Sequence, residues 1–123
     1  MARRYVVVLA AAFAACGGPT APTPTTGLTG VVVRGPVTPV CQVEAACDAP
    51  FAATFSVDQN AREISQFHSD AAGRFTVRLQ PGAYTIVPGP DAPILAPQSQ
   101  AKTVQVLPSG LTDVRLEFDT GIR

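Results

Sequence analysis

His68, Ser69 and Asp70 are consecutive, and they are the residue types from which a nucleophilic hydrolase centre is assembled. Their adjacency argues against that use. Neighbours along a strand or turn point in different directions, whereas a nucleophile, its base and the orienting carboxylate converge from separate parts of a fold. His68 is also the only histidine in 123 residues, so no second imidazole exists for acid–base work. The expectation is an exposed histidine on the flank of a turn, with no catalytic residue among the three.

Metal chemistry finds as little support. Asp58, Asp70, Asp113 and Asp119 fall in separate turns or at outward strand positions, without the dense carboxylate spacing of a calcium loop. Cys41 and Cys47 stand wider apart than the C-x₂₋₄-C pair of zinc motifs, and one histidine cannot complete a four-ligand set. No metal and no cofactor is expected. Nine Lys and Arg balance nine Asp and Glu, and no basic cluster marks a face for nucleic acid.

The elements that carry these residues have a hydrophobic period of two. Arg74-Phe75-Thr76-Val77-Arg78-Leu79-Gln80 alternates, with Phe75, Val77 and Leu79 facing a core, and 113–119 does the same. Weaker alternation marks 53–57 and 103–106, and short β-branched runs mark 31–33 and 84–87. Between Arg62 and His68, Ile64 and Phe67 cannot share one face of a regular strand, which predicts a bulge. Asp58-Gln59-Asn60-Ala61 and Asp70-Ala71-Ala72-Gly73 read as hairpin turns, and Pro81-Gly82 as a tight reversal. About seven short strands, so punctuated, predict one all-β domain over residues 27–119, an antiparallel β-sandwich with no internal repeat.

The N-terminus has a different character. Arg3-Arg4 precedes an apolar run from Tyr5 to Ala15 that is too short to span a bilayer and ends at Cys16-Gly17-Gly18-Pro19. Residues 1–15 therefore read as a secretory signal. Ala14-Ala15-Cys16 resembles the lipobox of bacterial lipoproteins, with Phe13 where that pattern usually carries an aliphatic residue. The resemblance implies that Cys16 is acylated and anchors the mature chain to the cell envelope, on the periplasmic or outer-membrane side in a two-membrane cell. The alternative is plain secretion after a cut at Ala12-Phe13-Ala14, which has the small-x-small form. Removing residues 1–15 removes two arginines and no acid, leaving a mature net charge of about −2. Residues 16–26, rich in Pro and Thr, read as an extended tether, and 120–123 as a C-terminal tail. With Cys16 set aside for lipid, Cys41 and Cys47 are an even pair in an oxidising compartment, and a disulfide is the expectation.

The segment Ser69-Asp70-Ala71-Ala72-Gly73-Arg74-Phe75-Thr76-Val77-Arg78-Leu79-Gln80-Pro81-Gly82-Ala83-Tyr84-Thr85-Ile86 resembles the T-D-x-x-G-x-F-x-φ-x-L-x-P-G-x-Y-x-φ signature of carboxypeptidase-regulatory-like domains, where φ is aliphatic. The resemblance implies a transthyretin-like sandwich of seven strands, with Gly30-Val31-Val32-Val33 opening it and 103–116 closing it. Every residue of the signature has a folding role, so it identifies a fold and not a reaction. Hydroxyisourate hydrolases share the transthyretin-like fold but use several histidines and a C-terminal Tyr-Arg-Gly-Ser, whereas this chain ends Thr120-Gly121-Ile122-Arg123.

The residues and the resemblance together lead to the expectation of a non-catalytic envelope module with a structural or protein-binding role. The partners expected are a membrane, through the lipid on Cys16, and an envelope protein. A carbohydrate-binding module is the alternative, and it requires exposed aromatic rings. Two surface features are candidates for contact: the loop closed by Cys41 and Cys47, and the Pro-rich stretch 89–97, where Ile94 and Leu95 either face a partner or fold back onto the core.

Overall fold

The computed structural model describes residues 23–42 and 46–122. The signal, Cys16 and most of the tether lie outside these residues. Eight strands occur in the order β1 (Gly27–Gly35), β2 (Ala49–Pro50), β3 (Thr54–Gln59), β4 (Arg62–His68), β5 (Arg74–Arg78), β6 (Gly82–Pro88), β7 (Lys102–Val106) and β8 (Leu111–Asp119). The only helical element among the described residues is a 3₁₀ turn at Pro97–Ser99.

The strands form two sheets. In the first, β1 is central. β8 lies along one side of it over nine registered pairs, from Gly27 opposite Leu111 to Gly35 opposite Asp119. The other side is shared by β5, over Gly27–Val31, and by β2, at Val33 and Arg34. The second sheet runs β4-β3-β6-β7 and is antiparallel throughout. The all-β sandwich expected from the period-two pattern is therefore present.

Four details differ from expectation. The strands number eight rather than seven, because the two-residue β2 has no alternation long enough to read. The pairing of β1 with β8 is parallel, although the rest is antiparallel. Alternation marks a strand and its buried face but not its direction, and here the first and last strands meet only after the chain has built everything between them. The Asp70–Gly73 turn closes no hairpin, since β4 and β5 belong to different sheets. Finally, the folded body extends past 27–119. Thr26, assigned to the tether, is buried and donates its hydroxyl hydrogen to the Leu79 carbonyl at 2.6 Å. Thr120, assigned to the tail, donates its N–H to the Gly35 carbonyl and its hydroxyl to the Pro36 carbonyl.

The predicted bulge is in β4. Val57 pairs with Ser65 and Asp58 with Glu63, so Ile64 is the extra residue, turned out and 48% exposed while Phe67 packs inside. The β3–β4 turn uses Asn60 and Ala61, both at positive φ (54° and 64°), as a two-residue type I′ hairpin requires.

Between the sheets lie Leu28, Val32, Phe55, Val57, Phe75, Val77, Tyr84, Ile86, Val106, Leu116 and their neighbours. Five phenylalanines link across the gap: Phe75 stacks on Phe67 at 4.4 Å, Phe67 on Phe55 at 5.0 Å, and Phe51 meets Phe118 edge-on at 6.0 Å. Offset and edge-on rings at such distances are favourable, and burying one such side chain is worth about 1.5–3 kcal/mol. Tyr84 sinks its ring into this core and donates its hydroxyl hydrogen to the Gln80 carbonyl at 2.6 Å, so its polar tip is satisfied at the sandwich end.

Candidate functional site

Residues 69–73 carry the chain from the edge of one sheet to the edge of the other, and their side chains are committed to that passage. The Ser69 hydroxyl donates to the Phe51 carbonyl at 2.8 Å and accepts the Ala53 N–H at 2.9 Å. Asp70 accepts the N–H groups of Ala72 and Arg74, both at 2.9 Å, through the same carboxylate oxygen. Gly73 closes the turn at φ 75°, and a Cβ there would run into the Val32 carbonyl. His68 turns outward, with Nδ1 2.9 Å from the Thr54 hydroxyl. The three residues thus do not converge. Each satisfies a different local need, and Ser69 is buried beneath the surface a substrate would approach.

These residues line an open depression of about 850 Å³ on the outer face of the first sheet, together with Thr29, Arg74, Thr76 and Asp113. The Thr29 and Thr76 hydroxyls meet at 3.1 Å across β1 and β5. A second, more enclosed cleft of about 370 Å³ lies over the second sheet, between Thr54, Ser56, Glu63, Gln66 and the turn at 89–92. Its side chains bond to one another, with Gln66 Nε2 donating to Glu63 Oε2 at 2.9 Å. No group of three or more His, Cys, Asp or Glu able to hold a metal occurs among the described residues.

Cys41 and Cys47 are joined, with Cα atoms 5.5 Å apart. The intervening residues 43–45 lie outside the described residues. The loop is held to the body on the Cys47 side, where its carbonyl accepts the Val37 N–H at 2.8 Å. Beside it Asp48 takes Arg115 Nη2 at 2.9 Å, while Arg115 Nε donates to Glu117 at 2.8 Å. The Glu117 hydrogen bond, with Asp48 adding to it, holds the Arg115 guanidinium above its ordinary pKa. That side chain is half exposed, so the cluster orients the loop without supplying much stability.

No family model and no curated protein matches the chain. Among solved structures it is similar to a DUF3823 family protein from Bacteroides ovatus ATCC 8483, at 21% sequence identity and a TM-score of 0.48. The match covers 76% of this chain and 44% of that one, so the chain spans less than half of its length.

The stretch 89–97 divides its two apolar candidates. Ile94 is folded into the core cluster at 9% exposure, so of its two readings it takes the fold-back one and drops out as a contact candidate. Leu95 is 50% exposed, with Gly121 lying against its side chain. The backbone here is fastened to the end of β8: Leu95 donates its N–H to the Asp119 carbonyl at 2.9 Å, and the Gln100 side chain bonds both backbone groups of Asp119. A lone glutamine in a loop has no sequence signal, so this clamp is invisible in the chain alone. The described aromatic residues, Phe51, Phe55, Phe67, Phe75, Phe118 and Tyr84, are all buried, so among the described residues no ring is presented for stacking on a sugar.

Proposed function

We propose that this chain is an envelope lipoprotein whose β-sandwich has a non-catalytic structural or protein-binding role, held to a membrane by acyl chains on Cys16. The observation that carries the reading is the N-terminal pattern: two arginines, a short apolar run, Ala14-Ala15-Cys16, and then a Pro/Thr stretch leading to β1. One acyl chain binds a bilayer marginally and two or more hold firmly, so the modification decides whether the domain stays at the surface. The commitment of Ser69 and Asp70 to backbone groups supports a binding role over hydrolysis. The cross-linked Cys41–Cys47 loop, at the end of the sandwich away from Gly27, is a constrained surface for a protein partner.

The test is the intact mass of the protein recovered from a bacterial membrane fraction. A chain beginning at Cys16, heavier by its acyl groups and lacking two hydrogens for Cys41–Cys47, is the expected result. An unmodified chain cut elsewhere and recovered in the soluble fraction overturns the anchored reading and leaves a secreted domain.

A further inference from the structure

We propose that the end of the sandwich from which the tether departs is itself a lipid-contacting surface, with Leu107 and Leu111 entering the headgroup boundary beside Arg62 and Arg78. The inference rests on the anchored reading above and deepens it, by giving the domain a fixed orientation on the bilayer.

The register places these residues at one end. Gly27, where the tether joins β1, pairs with Leu111 on one side and Arg78 on the other. Gly82 pairs with Val106, which brings Leu107 to the same rim. The β3–β4 turn reaches that rim too, because Gln59 donates to the Ala83 carbonyl at 3.2 Å and pairs with Arg62. Leu107 is 52% exposed and Leu111 38%. They bracket a short connection whose shape is set by the Leu107 N–H donating to the Thr112 hydroxyl at 3.0 Å, so both are presented outward by a fixed turn.

Arg62 and Arg78 are the charged residues of this rim, and Arg78 also donates to the Thr25 carbonyl on the departing tether. The nearest carboxylates, Asp58, Glu63 and Asp113, stand one or two strand positions above it. The opposite end carries both signs, with Asp48, Asp91 and Asp119 accompanied by Arg34, Lys102 and Arg115. Anionic headgroups attract the two guanidiniums that stand lowest on the rim.

The tether restricts the choice further. Cys16 to Gly27 is eleven residues, about 34 Å even when drawn out at ~3.1 Å per residue. The nine residues of β8 alone span about 30 Å. The opposite end can therefore touch the membrane only with the tether stretched along the flank of the domain, whereas the Leu107–Leu111 rim reaches it with the tether slack. Two leucines hold a free protein weakly, but tethering makes the contact intramolecular, where a weak contact suffices.

The chain has no tryptophan, which supplies the experiment. Leu107→Trp and, separately, Leu95→Trp are made in the full chain, purified with lipid attached, and reconstituted into phosphatidylethanolamine–phosphatidylglycerol vesicles. Flotation is scored first, and then quenching by phospholipid brominated near the headgroup. Both variants should float, and emission from Leu107→Trp should fall about twofold while Leu95→Trp is unaffected. Leu111→Trp repeats the measurement should Leu107→Trp disturb the fold. Flotation of both variants with equal or no quenching overturns the docking surface and leaves the anchor standing. A chain that carries no acyl mass and does not float overturns the anchor, and the docking surface with it.

Discussion

The side-chain amide of Gln100 hydrogen-bonds both backbone groups of Asp119: its Nε2 donates to the carbonyl at 2.9 Å and its Oε1 accepts the N–H at 2.8 Å. One side chain thus acts as a surrogate strand for the last residue of β8 and fixes the connection between β6 and β7 against it. Gln100→Ala should cost about 1–2 kcal/mol, since two part-buried hydrogen bonds are lost while the Asp119 carbonyl keeps the one from Leu95. Hydrogen exchange locates the effect: the Leu95 and Asp119 amides should lose protection while the Phe55 amide in β3 keeps it. Uniform loss would mean that the clamp is not local.

Ser69 and His68 are adjacent but should respond in opposite ways. Ser69→Ala leaves the Phe51 carbonyl and the Ala53 N–H without their buried partner and should lower stability by about 1–3 kcal/mol. His68→Ala, on an exposed side chain, should stay within about 0.5 kcal/mol. Urea unfolding of the two variants decides the matter, and equal sensitivity would contradict the placement of the serine hydroxyl.

Two turns call for opposite substitutions. Ala61 occupies a left-handed conformation that costs a side-chain residue about 1–2 kcal/mol, so Ala61→Gly should stabilise the fold by a net ~0.5–1 kcal/mol, seen as a higher urea midpoint at unchanged slope. Gly73→Ala combines the same backbone penalty with a collision against the Val32 carbonyl and should cost about 2 kcal/mol or more. A neutral Gly73→Ala would show that the passage between sheets has slack.

Cys41→Ser combined with Cys47→Ser should lower stability by about 2 kcal/mol, the chain-entropy value for so short a loop. The effect should match that of reducing the wild-type protein, and the tryptophan-free core can be followed by far-ultraviolet circular dichroism. A reduced protein as stable as the oxidised one would mean that the Val37–Cys47 bond and Arg115–Asp48 pair already hold the loop.

Much of this arrangement is legible in the chain because alternation reports burial directly. Phe75, Val77 and Leu79 lie inside while Arg74, Thr76 and Arg78 lie outside, as their spacing requires. The conflict between Ile64 and Phe67 even locates the bulge. Direction is not legible, so the parallel match of β1 with β8 has no signature. Ile94 and Leu95 are equivalent on paper, since two adjacent apolar residues in a loop without periodicity carry no facing information. The Gln100 clamp and the Arg115–Asp48 pair join residues far apart in the chain, and nothing local announces either.

The parallel match of the first and last strands also bears on force. Gly27 begins β1 at one end of the pair, and Asp119 ends β8 at the other. A load applied between Gly27 and Asp119 therefore pulls β1 and β8 past each other along their own length. Their hydrogen bonds then bear it side by side, across nine registered pairs, instead of opening one after another as in a peeled hairpin. Between those two residues the strand pair is a shear joint and not a zipper.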